Sequence, residues 1–280
     1  MIYPSDSDFL HIPGNGEERI VFVHANGYTP ESYSPILDRL AEHYSIDCFL
    51  LRPLRTLNQG PTIDSWQPLA DDLEKFISRY QGEKVVGLGH SVGGNLILKA
   101  ALRSSDMFSS TILLDPTIFA PYRVYIYRAF YLLGLSERLH PHMLSAKKRR
   151  DSYKSEEDIF NSYRKKKVFK KISDNLLRSL ISSLFIGPGD DGEMRLAFPT
   201  DWEYQIYKTG LLDDIFIWDN IHRLSVPTTI IAPSESDALL PDAIRKIKRM
   251  NDSIGFKWID NSTHLFPFEL PAETADIILG

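Results

Sequence analysis

Short apolar runs recur along the first third of the chain and again near its end, separated by stretches whose apolar positions return every three or four residues. The runs are Arg19-Ile20-Val21-Phe22-Val23-His24, Ile46-Asp47-Cys48-Phe49-Leu50-Leu51, Lys84-Val85-Val86-Gly87-Leu88, Ser110-Thr111-Ile112-Leu113-Leu114-Asp115-Pro116, Val226-Pro227-Thr228-Thr229-Ile230-Ile231-Ala232 and Gly255-Phe256-Lys257-Trp258-Ile259. Runs this short and continuous suit strands buried on both faces. Phe9-Leu10-His11-Ile12-Pro13 precedes them as a short strand. The periodic stretches predict helices over 33–43, 64–80 with Asp64 as its N-cap, 95–102, 213–224, 242–250 and 271–279. Strand and helix in alternation call for an α/β fold: a mostly parallel sheet with helices on both faces, and ligands beyond the carboxyl ends of the strands.

Between Pro116 and about residue 210 the alternation stops. Residues 122–133 form an aromatic amphipathic stretch, 156–185 read as one or two helices, and Gly187-Pro188-Gly189-Asp190-Asp191-Gly192 is a loop. The expected organisation is therefore a core of 1–116 and 213–280 with a helical cap, 117–212, inserted after the strand that ends at Asp115.

Composition narrows the classes. Of the 280 residues 43% are hydrophobic and 25% charged, an ordinary globular balance, and the net charge of −5 does not point to nucleic acid as a partner. The charge is uneven: 17 Lys/Arg stand against 11 Asp/Glu between 117 and 212, a net +6, which leaves −11 elsewhere. Lys147-Lys148-Arg149-Arg150 and Arg164-Lys165-Lys166-Lys167 carry much of it. These runs are read first as solvated helix faces, and second as a surface for anionic substrates or lipid headgroups. Tyr122, Tyr125, Tyr127, Phe130 and Tyr131 either pack on the core or line a pocket for an apolar acyl group. The single cysteine, Cys48, lies in a buried run and reads as an inert core thiol. No basic start followed by an apolar stretch marks a secretion signal, and no run approaches the ~18 apolar residues that cross a bilayer, so no integral membrane segment is expected and the expected location is the cytoplasm. A homodimer is left open.

The chemistry centres on Gly89-His90-Ser91-Val92-Gly93, which joins a strand to a helix. The pattern Gly-x-Ser-x-Gly at such a turn forces the serine into a strained conformation and lifts its side chain above the sheet. Glycines two before and two after keep neighbouring strand and helix clear. The bland alternative is a glycine-rich connection with a bystander serine. The partners expected of a nucleophile fall at other strand ends. Asp237 follows the 226–232 strand, and His264 follows the 255–259 strand. The order Ser91, Asp237, His264 is that of nucleophile, acid and base. Asp115 also ends a strand and is the reserve acid. An oxyanion hole needs the N–H of Val92 and one from the loop His24-Ala25-Asn26-Gly27, where Asn26 is the best donor.

With these residues the chain resembles the α/β-hydrolase superfamily, specifically serine hydrolases with a helical cap, of esterase or lipase type. The resemblance covers 20–116 and 213–275 and rests on His24-Ala25-Asn26-Gly27, Gly89-His90-Ser91-Val92-Gly93-Gly94, Ser236-Asp237 before Pro241, and Thr263-His264 before Pro267. Family members commonly have His-Gly where this chain has His24-Ala25. The resemblance implies hydrolysis of a carboxylic ester through an acyl-enzyme, with a small-molecule ester of apolar acyl group as partner. It calls for no metal or organic cofactor. Hydrolysis of a C–C bond by the same triad, and a non-catalytic small-molecule receptor, are the alternatives. A serine nucleophile argues against dehalogenase and epoxide-hydrolase chemistry, which use an aspartate there.

Overall fold

The apolar runs become the strands of one sheet in the computed structural model, which describes residues 3, 7–55, 60–138 and 140–280. The strands are β1 Phe9–Ile12, β2 Arg19–Val23, β3 Ser45–Phe49, β4 Val85–His90, β5 Phe108–Leu114, β6 Thr228–Glu235 and β7 Gly255–Thr263. Their order across the sheet is β1-β3-β2-β4-β5-β6-β7; β1 runs antiparallel to β3 and every other pairing is parallel. The alternation seen in the sequence therefore yields the expected sheet. Within β2, Val21 and Val23 join one apolar cluster while Ile20 and Phe22 join the other, as the two-residue period of a strand requires. Both clusters are capped by helices, so the strand is buried from Ile20 onward.

β4 sits in the middle and is buried at every position. Its pairing with β5 aligns His90 with Leu114, so the residues that follow, Ser91 and Asp115, leave the sheet side by side. The N–H of Ser91 donates to Leu114 O at 3.0 Å and that of Asp115 to Ile231 O at 2.8 Å. The end of β4, the end of β5 and the exit of β6 are thus laced together.

The helix after β4 spans Val92–Arg103 and is buried from Val92 to Ala101. That closeness explains the glycines. A Cβ on Gly93 would stand 2.1 Å from the carbonyl oxygen of Val23, and one on Gly89 would stand 2.5 Å from the carbonyl of Gly93. Neither obstacle is a side chain that could turn aside, so no larger residue fits without moving backbone.

Two local expectations are corrected, and one left open between two readings is resolved. The second helix begins at Gln67, not at 64; Pro68 in its first turn fixes the start, and Ser65 rather than Asp64 accepts a backbone N–H, that of Gln67 at 3.3 Å. The 156–185 stretch is two helices, Glu156–Arg164 and Asp174–Leu184, each opened by a serine hydroxyl, Ser155 and Ser173, that accepts from the third helical N–H. Between Pro116 and residue 212 there is also a small antiparallel sheet of Ser152–Tyr153, Met194–Leu196 and Phe185–Ile186, which periodicity did not announce. Among the described residues, no helix is long and apolar enough to cross a membrane.

Candidate active site

Ser91 is where β4 stops and the next helix starts. Its backbone has φ 58° and ψ −117°, a conformation L-residues rarely take, held by the packing of β4 against the helix. The turn directs Oγ toward the loop after β7. There the Nε2 of His264 lies 3.0 Å from Ser91 Oγ. The other ring nitrogen, Nδ1, lies 2.7 Å from Oδ2 of Asp115. With Nδ1–H donating to the carboxylate, Nε2 is free to accept the serine proton.

The carboxylate beside His264 is therefore not the expected one. Asp237 was expected on His264, but its side chain is 62% exposed and pairs with His142 at 3.4 Å. Asp115 takes the place beside the imidazole. It is fully buried, its φ is 39°, and that left-handed turn swings the carboxylate sideways from the end of β5 onto the ring. The β6 exit loop still contributes, through its other polar residue: Ser236 Oγ sits 2.8 and 2.9 Å from the two carboxylate oxygens of Asp115. One hydroxyl proton can serve only one of them at a time, and the same Oγ accepts the N–H groups of Ala238 and Leu239, which fixes its position.

Electrostatics agree with this geometry. Burial pushes the Asp115 carboxyl above its ordinary range, against which the hydrogen bond and charge of His264 act. Burial also works against the His264 imidazolium, yet the hydrogen bond and charge of Asp115 outweigh it and hold the ring above its ordinary value of 6.5, with Asp237 adding a smaller push in the same direction.

The two expected oxyanion donors flank the serine. Val92 is the first residue of its helix, so its N–H has no partner one turn back. Asn26 is buried, and no hydrogen bond among the described residues claims its backbone N–H. Its side chain is occupied: Nδ2 donates to Glu203 O at 3.0 Å, which ties the loop to the helix Thr200–Thr209. Asn26, Val92, Ser91 and His264 all line one chamber, of about 70 Å³, with Trp66, Thr117, Phe119 and Tyr207.

Residues 20–277 match the sequence profile of the alpha/beta hydrolase family. The chain belongs to that family. Type I acyl-CoA thioesterase mpaH' of Penicillium brevicompactum is 30% identical to this hydrolase over 118 residues, which cover 36% of this chain and 27% of the thioesterase. This chain therefore spans only about a quarter of that relative. The uncharacterized hydrolase YugF of Bacillus subtilis (strain 168) is 30% identical over 107 residues, 38% of this chain and 39% of YugF. Among solved structures, E-2-(acetamidomethylene)succinate hydrolase superposes with a TM-score of 0.74 at 17% identity, covering 96% of this chain and 97% of that one, a likeness of fold.

Further residues that the sequence did not single out support the arrangement around Ser91. His90 is buried beside the serine. Its Nε2 lies 3.0 Å from the carbonyl of His264, which can only accept, so Nε2 carries the proton and Nδ1 accepts from Tyr33 OH at 2.7 Å. Burial and the neighbouring His264 keep this ring far below its ordinary pKa, hence neutral. Tyr33 OH in turn accepts the N–H of Ala25 at 3.2 Å. A continuous chain thus runs from Ala25, in the loop after β2, to the loop of His264. Thr117 clamps the serine from the other side: its hydroxyl is 3.2 Å from Ser91 Oγ, its N–H donates to Ser91 O at 3.2 Å, and its carbonyl accepts from Asn95 Nδ2 at 2.7 Å. A buried His immediately before the serine was the available signal for the first of these; Thr117 carried none.

Proposed function

We propose that this hydrolase cleaves acyl esters, with oxygen or sulfur in the leaving group, through a covalent acyl-enzyme on Ser91. The observation that carries the reading is the imidazole of His264 lying between Ser91 Oγ and the Asp115 carboxylate at 3.0 and 2.7 Å. His264 takes the Ser91 proton as Oγ bonds to the acyl carbon. The tetrahedral oxyanion is received by the N–H groups of Asn26 and Val92, each such donor worth roughly 3 kcal/mol. The bond to the leaving group breaks, and His264 returns its proton to that group. Water then repeats the sequence: His264 removes one proton, the hydroxyl adds to the acyl carbon, and Ser91 Oγ leaves with the proton restored. Asp115 keeps Nδ1 protonated and balances the imidazolium. Residues 117–212 act as a cap that shapes access, since Phe119, His140, His142 and Tyr207 wall the chamber above the serine. The thioesterase named above supports the inclusion of sulfur leaving groups.

Ser91→Ala is the test. It should abolish release of p-nitrophenol from short acyl esters and abolish labelling by a fluorophosphonate. Turnover that persists in the variant removes Ser91 from the mechanism.

A further inference from the structure

The chamber around Ser91, about 70 Å³, is too small to hold a whole ester, and it shares lining residues with two larger recesses. One, of about 370 Å³, continues from Phe119, His140, His142, Leu211 and Asp237 outward past Tyr122, Ile126 and Tyr127. Its only Lys or Arg, Arg123, is neutralised by Asp242 at 3.0 Å. The other, of about 460 Å³, adjoins the chamber at Asn26, His142 and Tyr207 and is walled by Lys148, Arg149, Arg150 and Lys166. A single carboxylate, Glu203, faces these four cations, and it is taken by Arg149 at 2.6 Å. Lys148, Arg150 and Lys166 make no ion pair among the described residues. Two are spread over aromatic faces, Arg150 4.1 Å from the Tyr153 ring centre and Lys166 4.1 Å from that of Tyr163.

A scissile carbonyl held at Ser91 therefore has two neighbouring recesses of opposite character. An apolar acyl chain is favoured in the aromatic recess, because burial removes its surface from water. The basic recess has a surplus of three positive charges, more than one carboxylate can balance, and guanidinium and ammonium groups around one cavity suit phosphate oxygens. We propose that the basic recess binds the phosphates of the leaving group, so that the substrate is an acyl ester or thioester of a polyphosphorylated alcohol or thiol. This rests on the reading of Ser91 as nucleophile. Hydrolysis leaves the acid in one recess and the phosphorylated alcohol or thiol in the other.

Lys166 adds a further sign. Burial and then the charge of Arg149 bring its ammonium down to about 8, the behaviour of a cation confined with another cation, which a bound anion would relieve.

The experiment compares octanoyl-coenzyme A with octanoyl-N-acetylcysteamine, which share acyl group and thioester bond; only the first carries phosphates, on a pantoyl-adenosine portion that the second lacks, and the charge variants below isolate the phosphate contribution. The wild type should show a KM at least tenfold lower for the coenzyme A thioester. In Lys148→Ala/Arg150→Ala that ratio should collapse toward one, whereas Lys165→Ala, a cap lysine outside the recess, should preserve it. The ratio should also shrink as pH rises through 8 and Lys166 loses its proton. Equal KM values in the wild type, or a ratio indifferent to the double variant, overturn the proposal. So does preference for p-nitrophenyl hemisuccinate over p-nitrophenyl butyrate lost in the same variant, which would put an acyl carboxylate in the recess. Calorimetric titration of Ser91→Ala with coenzyme A separates the two readings. Binding that the double variant weakens, with neither thioester turned over by the wild type, sustains the recess and overturns the Ser91 mechanism. Turnover of both thioesters alike without coenzyme A binding does the reverse.

Discussion

The carboxylate of Asp115 meets Nδ1 of His264 at 2.7 Å from the end of the strand next to the nucleophile's own. Asp115→Asn is expected to lower kcat on p-nitrophenyl esters by about 10⁴-fold, because an amide there stabilises the wrong tautomer. Asp237→Asn is expected to retain most of kcat. Steady-state kinetics of the two variants decide the assignment; the opposite ranking would restore Asp237 as the acid.

The pH profile follows from the same pair. Only neutral His264 can accept the Ser91 proton, and its folded pKa lies above 6.5, so kcat/KM should fall as pH drops through a value higher than that of a free histidine. Asp237 contributes part of the elevation through its charge. Asp237→Asn should therefore move the acid limb to lower pH while leaving the plateau. A limb that stays put would show that the exposed carboxylate is too well screened to matter.

Tyr33 holds two groups at once, the N–H of Ala25 and Nδ1 of His90. Tyr33→Phe keeps the ring but leaves both without a partner in the interior. The expected cost is about 1–3 kcal/mol of stability, read by urea denaturation. Because the chain links the loop of Ala25 and Asn26 to the His264 loop, kcat should fall as well, with little change in KM.

Lys99 is wholly buried, 2.8 Å from Asp213 and 3.7 Å from Asp214. Burial raises Asp214 to about 6, and Lys99 restrains that rise. Lys99→Met should cost about 3–5 kcal/mol, since it strands the buried carboxylate of Asp214. The sign with pH is definite. A carboxyl raised on folding holds a proton that the unfolded chain releases, so its contribution to stability falls as pH rises from about 4 through about 6. Without Lys99 that window extends upward, and the loss should be larger at pH 8 than at pH 5. A loss independent of pH would mean that packing, not charge, is what Lys99 supplies.

Much of this arrangement is legible along the chain. The sheet follows from uninterrupted apolar runs, and the serine turn from glycines whose absent side chains would strike Val23 and Gly93. The choice of acid is not legible in that way. Asp115 and Asp237 both end strands, and only the φ of 39° at Asp115 decides which carboxylate reaches the ring. One local sign was present: a charge closing the wholly apolar Ile112-Leu113-Leu114 must find a partner if it stays buried. The small sheet between 152 and 196 escaped because strands of two or three residues carry no period to read. The start of the second helix escaped because Pro68 and Ser65 outweighed the more familiar aspartate.

With Asp115 at the end of β5 on the His264 ring, the segment that leaves β6 reaches that carboxylate, among the described residues, through Ser236. Asp237 and Ala238 lie outside the hydrogen-bonded chain of Ser91, His264 and Asp115 while still lining the chamber. Substitutions there can retune which molecules enter the chamber without removing a hydrogen bond from that chain, which makes the segment a place for a designer seeking a changed substrate range.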